Sequence, residues 1–171
     1  MNEPSDLRGV MRRFATGVTV VTARPESGPP LGVTVNSLTS VSLEPPLVLI
    51  CIANYLRMHA AIRDGGHFAV NLLNGDQEAL SRRFAGQPAG RDPFAGLRVT
   101  PGPMTGAPIL PSGLGHLECR LVAAYPGGDH TIFLGEVLAA AASAEQAALV
   151  YYLSRYHRIA HPGPPETTPD P

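Results

Sequence analysis

Along the first half of the chain the rhythm of apolar and polar positions changes several times, and each change marks an element. Leu7, Val10, Met11 and Phe14 recur at helical spacing behind Pro4-Ser5-Asp6, so residues 6–14 are expected to form a short amphipathic helix with Ser5 as N-cap. Gly17 ends it. The β-branched run VTVVTA, 18–23, predicts a strand, and after a Pro/Gly loop a second strand over 31–36 completes a hairpin with a long turn. Beyond Glu44-Pro45-Pro46 comes the strongest apolar run, Leu47 to Ala53, which predicts a third strand buried on both faces. Leu56, His59, Ala60 and Ile62, closed by Gly65-Gly66, predict a helix over 55–64. HFAVNLL, 67–73, predicts another strand, and Asp76 opens a helix that runs through Phe84.

The second half is dominated by strand signals. Residues 85–114 are dense in Gly and Pro and are expected to be loop, with a short strand near Leu97–Val99. GHLECRLVAAYP, 115–126, sets Leu117, Cys119 and Leu121 against His116, Glu118 and Arg120, the alternation of a half-exposed strand. Gly127-Gly128-Asp129 predicts a tight turn and HTIFLGEVLAA, 130–140, the returning strand. LAAAASAEQAAL, 138–149, has helix propensity, yet continuity of pattern favours strand to about Ala141. Residues 149–153 suggest a last strand. About seven strands in hairpin-like succession with three short helices point to an antiparallel β barrel or sandwich with helical additions, not a parallel βαβ sheet. The expected organisation is one domain over residues 1–161 and a disordered Pro-rich tail over 162–171, where five of ten residues are proline.

Composition narrows the function classes. With 44% hydrophobic residues among 171 the chain is not of the disordered class. Thirteen basic against 14 acidic residues leave a formal charge of -1, which argues against a nucleic-acid or anionic-membrane partner drawn by bulk charge. Cys51 and Cys119 lie in apolar runs without CxxC spacing and are expected to be buried free thiols. The N-terminal MNEPSDLRGVMRRF has no apolar signal core, and no apolar run approaches a membrane span; a soluble cytoplasmic protein is expected.

The motif inventory excludes much familiar chemistry. No G-x-G-x-x-G follows a strand, no P-loop is present, the six histidines show no H-E-x-x-H spacing, and there is no G-x-S-x-G elbow. No metal site is expected. An enzyme built on this chain would rely on a bound cofactor for the hard chemistry. The stretch from Gly32 to Ala53 offers a site for one. Thr34, Asn36, Ser37, Thr39, Ser40 and Ser42 carry donors and acceptors without formal charge, which suits a flat heteroaromatic ring edged with C=O and N–H better than a metal.

The segments ATGVTVVTA, GVTVNSLTSVSLEPPLVLICIA, FAVNLL, RRFAG, GGDHTIFLGEV and ALVYYLSRYHRI occur in this order. Together, over roughly Leu7 to Ile159, they resemble the short-chain flavin reductase family, whose fold is the FMN-binding split barrel, an antiparallel, Greek-key-like β-barrel. The resemblance implies hydride transfer from NADH or NADPH to FMN or FAD, release of reduced flavin to a separate flavin-dependent monooxygenase, and a homodimer with flavin near the interface. It implies that Thr34, Val35, Asn36, Ser37 and Ser40 meet the flavin ring edge and ribityl chain. Cys51, Ile52 and Ala53 would back the ring, and Arg57 would meet the phosphate. Arg83, Phe84 and Ala85 would close over ribityl and phosphate. His130 falls at the nicotinamide side, and Tyr156 borders the same pocket. Leu38 stands where many members carry Phe, and Met58 replaces a frequent small hydroxyl residue. Two rivals share the fold: a flavin-retaining oxidase or monooxygenase, and a non-catalytic flavin-binding protein.

Overall fold

The computed structural model describes residues 6–86, 92–143 and 147–160. Helix α1, Leu7–Met11, is capped by Asp6, whose carboxylate accepts from Gly9 N–H at 2.8 Å. The expected cap, Ser5, lies outside the described residues. Strands β1 (Thr16–Gly17), β2 (Thr19–Ala23), β3 (Leu31–Val35), β4 (Thr39–Leu43) and β5 (Pro46–Ala53) follow. Helix α2, Arg57–Gly65, ends at Gly66 in the left-handed region, φ 66°, as the Gly-Gly pair predicts. Then come β6 (His67–Leu72), α3 (Glu78–Ala85), the short β7 (Thr100–Pro101) and β8 (Pro108–Ile109), and the long pair β9 (Gly115–Gly127) and β10 (His130–Ala142). The chain closes with β11 (Ala148–Tyr152) and β12 (Arg155–Ile159). The strand β10 does run past Ala141, and the Pro-rich tail over 162–171 lies outside the described residues.

Seven strands form one antiparallel sheet in the order β3-β2-β6-β9-β10-β5-β4. Its two edges, β3 and β4, are consecutive in the chain, and the sheet curls until the end of β3 lies against β5. There Cys51 N–H donates to Ser37 Oγ at 2.9 Å, and the Ser37 hydroxyl donates back to Cys51 O at 3.2 Å. Every pairing in it is antiparallel, and of the two forms that the strand pattern predicts, barrel or sandwich, the curled sheet takes the first. Inside it Val21, Ile50, Ile52, Phe68, Val70, Cys119 and Phe133 form the larger core, closed by Met58, Ala61 and Ile62 of α2. A second cluster, with Val18, Val20, Leu73, Phe84, Phe94, Leu110 and Leu149, packs on the other face of β2.

Burial corrects three expectations, that of a buried Cys51 thiol among them. The strand buried on both faces is β2, every residue of which is buried. In β5 the buried Val48, Ile50 and Ile52 alternate with half-exposed Leu47, Leu49 and Cys51, because one face lines the barrel and the other opens outward. Glu118 alternates with the core residues of β9 yet is fully buried. The loop between β7 and β8 folds over it, and its Oε2 accepts from Met104 N–H (3.0 Å), Thr105 N–H (2.9 Å) and Thr105 Oγ1–H (2.8 Å). The short strand expected near Leu97–Val99 forms at Thr100–Pro101 instead, where it can pair with Pro108–Ile109.

Candidate functional site

The mouth of the barrel on the α2 side holds a cleft of about 460 Å³, within the range of small-molecule sites. One wall is β3, contributing Leu31 to Val35. The facing wall is the end of β5, Cys51 to Ala53. Tyr55, Leu56, Arg57 and Met58 carry the lining into the start of α2, Phe84 and Ala85 of α3 close another side, and His130 stands at the head of β10. A smaller hollow of about 200 Å³ shares Thr34, Val35 and Ala85 with it and adds Val18, Asn36, Tyr151 and Tyr156.

Local structure explains why these residues meet. Phe84 is buried against Phe94, ring centroids 5.1 Å apart, and reaches under β3 because Gly32 has no side chain. A Cβ at Gly32 would stand 2.5 Å from a Phe84 ring carbon. Thr34 Oγ1 donates to Ser81 O at 2.7 Å, which fastens β3 to α3. Ser81 Oγ in turn meets the Tyr156 hydroxyl at 2.9 Å, and the Arg82 guanidinium lies over the Tyr156 ring. Helix α2 begins at Arg57 with no side-chain cap; His59 N–H donates to Leu56 O at 2.9 Å, while Arg57 and Met58 at the helix start line the cleft. Arg57 itself is exposed.

His130 pairs in register with Ala53 on one side and Gly127 on the other. Its Nδ1 lies 2.7 Å from Asp129 Oδ1. That hydrogen bond first, and the imidazole's charge second, hold the Asp129 carboxyl below its usual 3.8. With Nδ1 turned to Asp129, Nε2 is the ring nitrogen left for a ligand.

Of the residues singled out by resemblance, Thr34, Val35, Cys51, Ile52, Ala53, Arg57, Phe84, Ala85 and His130 line the cleft, and Asn36 and Tyr156 line the adjoining hollow. Ser37, Ser40 and Arg83 stand outside both linings. The Ser37 hydroxyl is engaged with the Cys51 backbone, Ser40 is exposed on β4 opposite Val48, and Arg83 donates to Ala95 O at 2.5 Å. Leu31, Gly32, Val33, Tyr55 and Leu56 were not named as site residues, and Met58 was named only as a departure from the family pattern. Their signal was available: they flank the chosen positions on β3 and on the link from β5 into α2.

The donor set fits a flavin. Apolar strand walls from Val33, Ile52 and Ala53 can face a planar ring, an uncharged amide at Asn36 can meet its edge, and a guanidinium at a helix start can meet a phosphate.

A family model described as a flavin reductase like domain matches residues 11–160. The chain is 42% identical over 163 residues to an NADH-dependent FAD reductase of Streptomyces globisporus, covering 92% of this chain and 88% of that protein. It is 38% identical over 171 residues to HsaB of Rhodococcus jostii, the reductase subunit of a flavin-dependent monooxygenase, covering 99% and 83%. The solved structure of the Streptomyces globisporus NADH:FAD oxidoreductase SgcE6 in complex with NAD and FAD fragments superposes with a TM-score of 0.86, at 40% identity over 98% of this chain and 99% of that one.

Proposed function

The chain belongs to the flavin reductase like domain family, and we propose that it is an NAD(P)H-dependent flavin reductase that reduces FMN or FAD and hands the reduced flavin to a separate monooxygenase. The observation that carries the reading is the cleft between β3 and the end of β5, with His130 on the neighbouring strand at its rim. A bound flavin supplies the hydride acceptor, N5, for the hydride that leaves nicotinamide C4 of NAD(P)H as NAD(P)⁺ forms.

The chain's own part is positioning and polarity. Thr34, Val35, Asn36 and the Cys51–Ala53 strand end hold the ring edge and one ring face. Ser37 supports that wall through the Cys51 backbone. Arg57 and the open start of α2 take the phosphate, with Phe84, Ala85 and Tyr156 on the ribityl side. Neutral donors at the ring edge stabilise charge that develops on reduction. His130 Nε2, its partner nitrogen fixed by Asp129, orients the nicotinamide. Holding two rings in contact supplies most of the rate effect, so no side chain of unusual acidity is needed.

We further propose that residues 1–161 are the functional unit, that it acts in the cytoplasm, and that it works as a homodimer. Residues in and just after α1 support the dimer: Leu7, Val10 and, beyond the helix end, Phe14 are each more than 60% exposed, apolar surface that the chain's own core does not cover. Steady-state oxidation of NADH and of NADPH with added FMN, FAD and riboflavin tests the activity. Flavin-dependent consumption of reduced nicotinamide is expected. Flavin binding without it would overturn the reading.

A further inference from the structure

We infer that Asn54 is a positioning residue for His130, clasping the exposed turn that carries the histidine. The inference rests on the proposed place of the nicotinamide at His130. Asn54 follows directly on Ala53, the register partner of His130. Its backbone N–H donates to Asp129 O at 3.0 Å, and its Nδ2 donates to Gly128 O at 3.1 Å. Its Oδ1 accepts from Thr131 Oγ1–H at 2.8 Å. Having given its proton to Asn54, the Thr131 hydroxyl must accept from His59 Nε2, 2.9 Å away. His59 belongs to α2 and rests edge-on against Phe133 of the core, centroids 5.4 Å apart.

One amide thus grips the turn on one side of His130 and, through Thr131, the residue on the other side. The far end of the chain of bonds is anchored in the helix whose start lines the cleft. The turn needs such a grip. Gly127, Gly128 and Asp129 are all exposed, and Gly128 sits at φ +74° with no side chain of its own to hold it. Asn54 is exposed as well, so water can replace its bonds and loss of the amide changes the fold's stability little. What water cannot replace is the direction of the turn, and with it the direction of the imidazole.

The test compares Asn54→Ala, Thr131→Val, Thr131→Ser, His130→Ala and the double variant Asn54→Ala/His130→Ala. Flavin dissociation constants are read by fluorescence titration with FMN and FAD, and kcat/KM for NADH by steady-state kinetics. Asn54→Ala and Thr131→Val are expected to lower kcat/KM for NADH by about 3–10-fold with flavin binding unchanged within about twofold. Thr131→Ser, which keeps the hydroxyl, should behave as the native enzyme. In the double variant the Asn54 change should add nothing to the loss from His130→Ala, since both act through one ring. Losses that multiply in the double variant, a Thr131→Ser enzyme as impaired as Thr131→Val, or unaltered kinetics in Asn54→Ala would each overturn the inference. Unaltered kinetics in His130→Ala would overturn the nicotinamide placement itself, a different result. Should Asn54→Ala fail to fold, the Thr131→Val and Thr131→Ser pair carries the test.

Discussion

Asn36 is exposed at the end of β3 and lines the smaller hollow, so its amide is free to meet a ring edge. Asn36→Ala should therefore weaken flavin binding. One or two hydrogen bonds of ~0.5–1.5 kcal/mol each correspond to a rise in Kd of up to roughly a hundredfold, readable by fluorescence titration. Its neighbour Ser37 shows what a sequence conceals. Both residues carry an uncharged polar side chain, an amide and a hydroxyl, but Ser37 spends its hydroxyl on the backbone of a residue 14 positions away. Only the curl of the sheet brings the two together. Cys119, by contrast, behaves as its apolar setting predicts. Burial first, and the Glu118 charge second, push its thiol from 9.0 to about 12. The folded protein keeps a proton that the unfolded chain gives up, so this contribution to stability is complete below pH 9 and is lost as pH rises toward 12. The urea midpoint should fall across that interval, and fall less steeply in Cys119→Ala.

At the scale of elements, runs with a strong apolar period were legible: β2, β3, β5, β6, the β9–β10 pair and both longer helices lie within a few residues of where the pattern puts them. The misses have physical causes. Strand β4 mixes the hydroxyl residues Thr39, Ser40 and Ser42 with exposed Val41 and Leu43 beside prolines, and it forms because β5 offers it a ladder, not because its own pattern demands it. Strand β12 carries Arg155, His157 and Arg158 outward and pairs with β11 across a turn in which Leu153 and Ser154 both take positive φ, a turn the residue types do not announce. Glu118 is the clearest case. Strand alternation left it outside, and a distant loop covered it. Truncating it should leave the three donors of residues 104 and 105 without their acceptor. Glu118→Ala is expected to cost about 2–4 kcal/mol. That lowers the melting temperature by roughly 5–15 °C in calorimetry, whereas Glu118→Gln, which keeps an acceptor, should lose much less.

For the molecule as a whole, the expected amphipathic helix at the N-terminus has its apolar side turned away from its own core. It is tethered at one end by Leu153 N–H donating to Arg12 O at 2.8 Å. A second copy is the partner that the proposed homodimer supplies. Sedimentation velocity should give a mass about twice 18.0 kDa, and Val10→Asp combined with Phe14→Asp should shift it toward the single chain. The antiparallel strands that form the cleft walls were legible from local period, but that they meet across one cleft was implied by the resemblance alone, because the curl of the sheet brings them together. The homodimer is implied by the resemblance alone, since the apolar residues of the N-terminal helix would have served an internal core equally well. The cleft itself carries a kinetic corollary. In the proposed reaction its strand walls and the histidine at its rim would receive two bulky heterocycles side by side, so a surplus of either can block the other. Oxidised flavin in excess should occupy the berth meant for the nicotinamide. Initial rates at fixed NADH should therefore climb with flavin, pass a maximum and decline, and more NADH should push that maximum to higher flavin. A plateau that never turns down would mean that the two heterocycles arrive by separate doors.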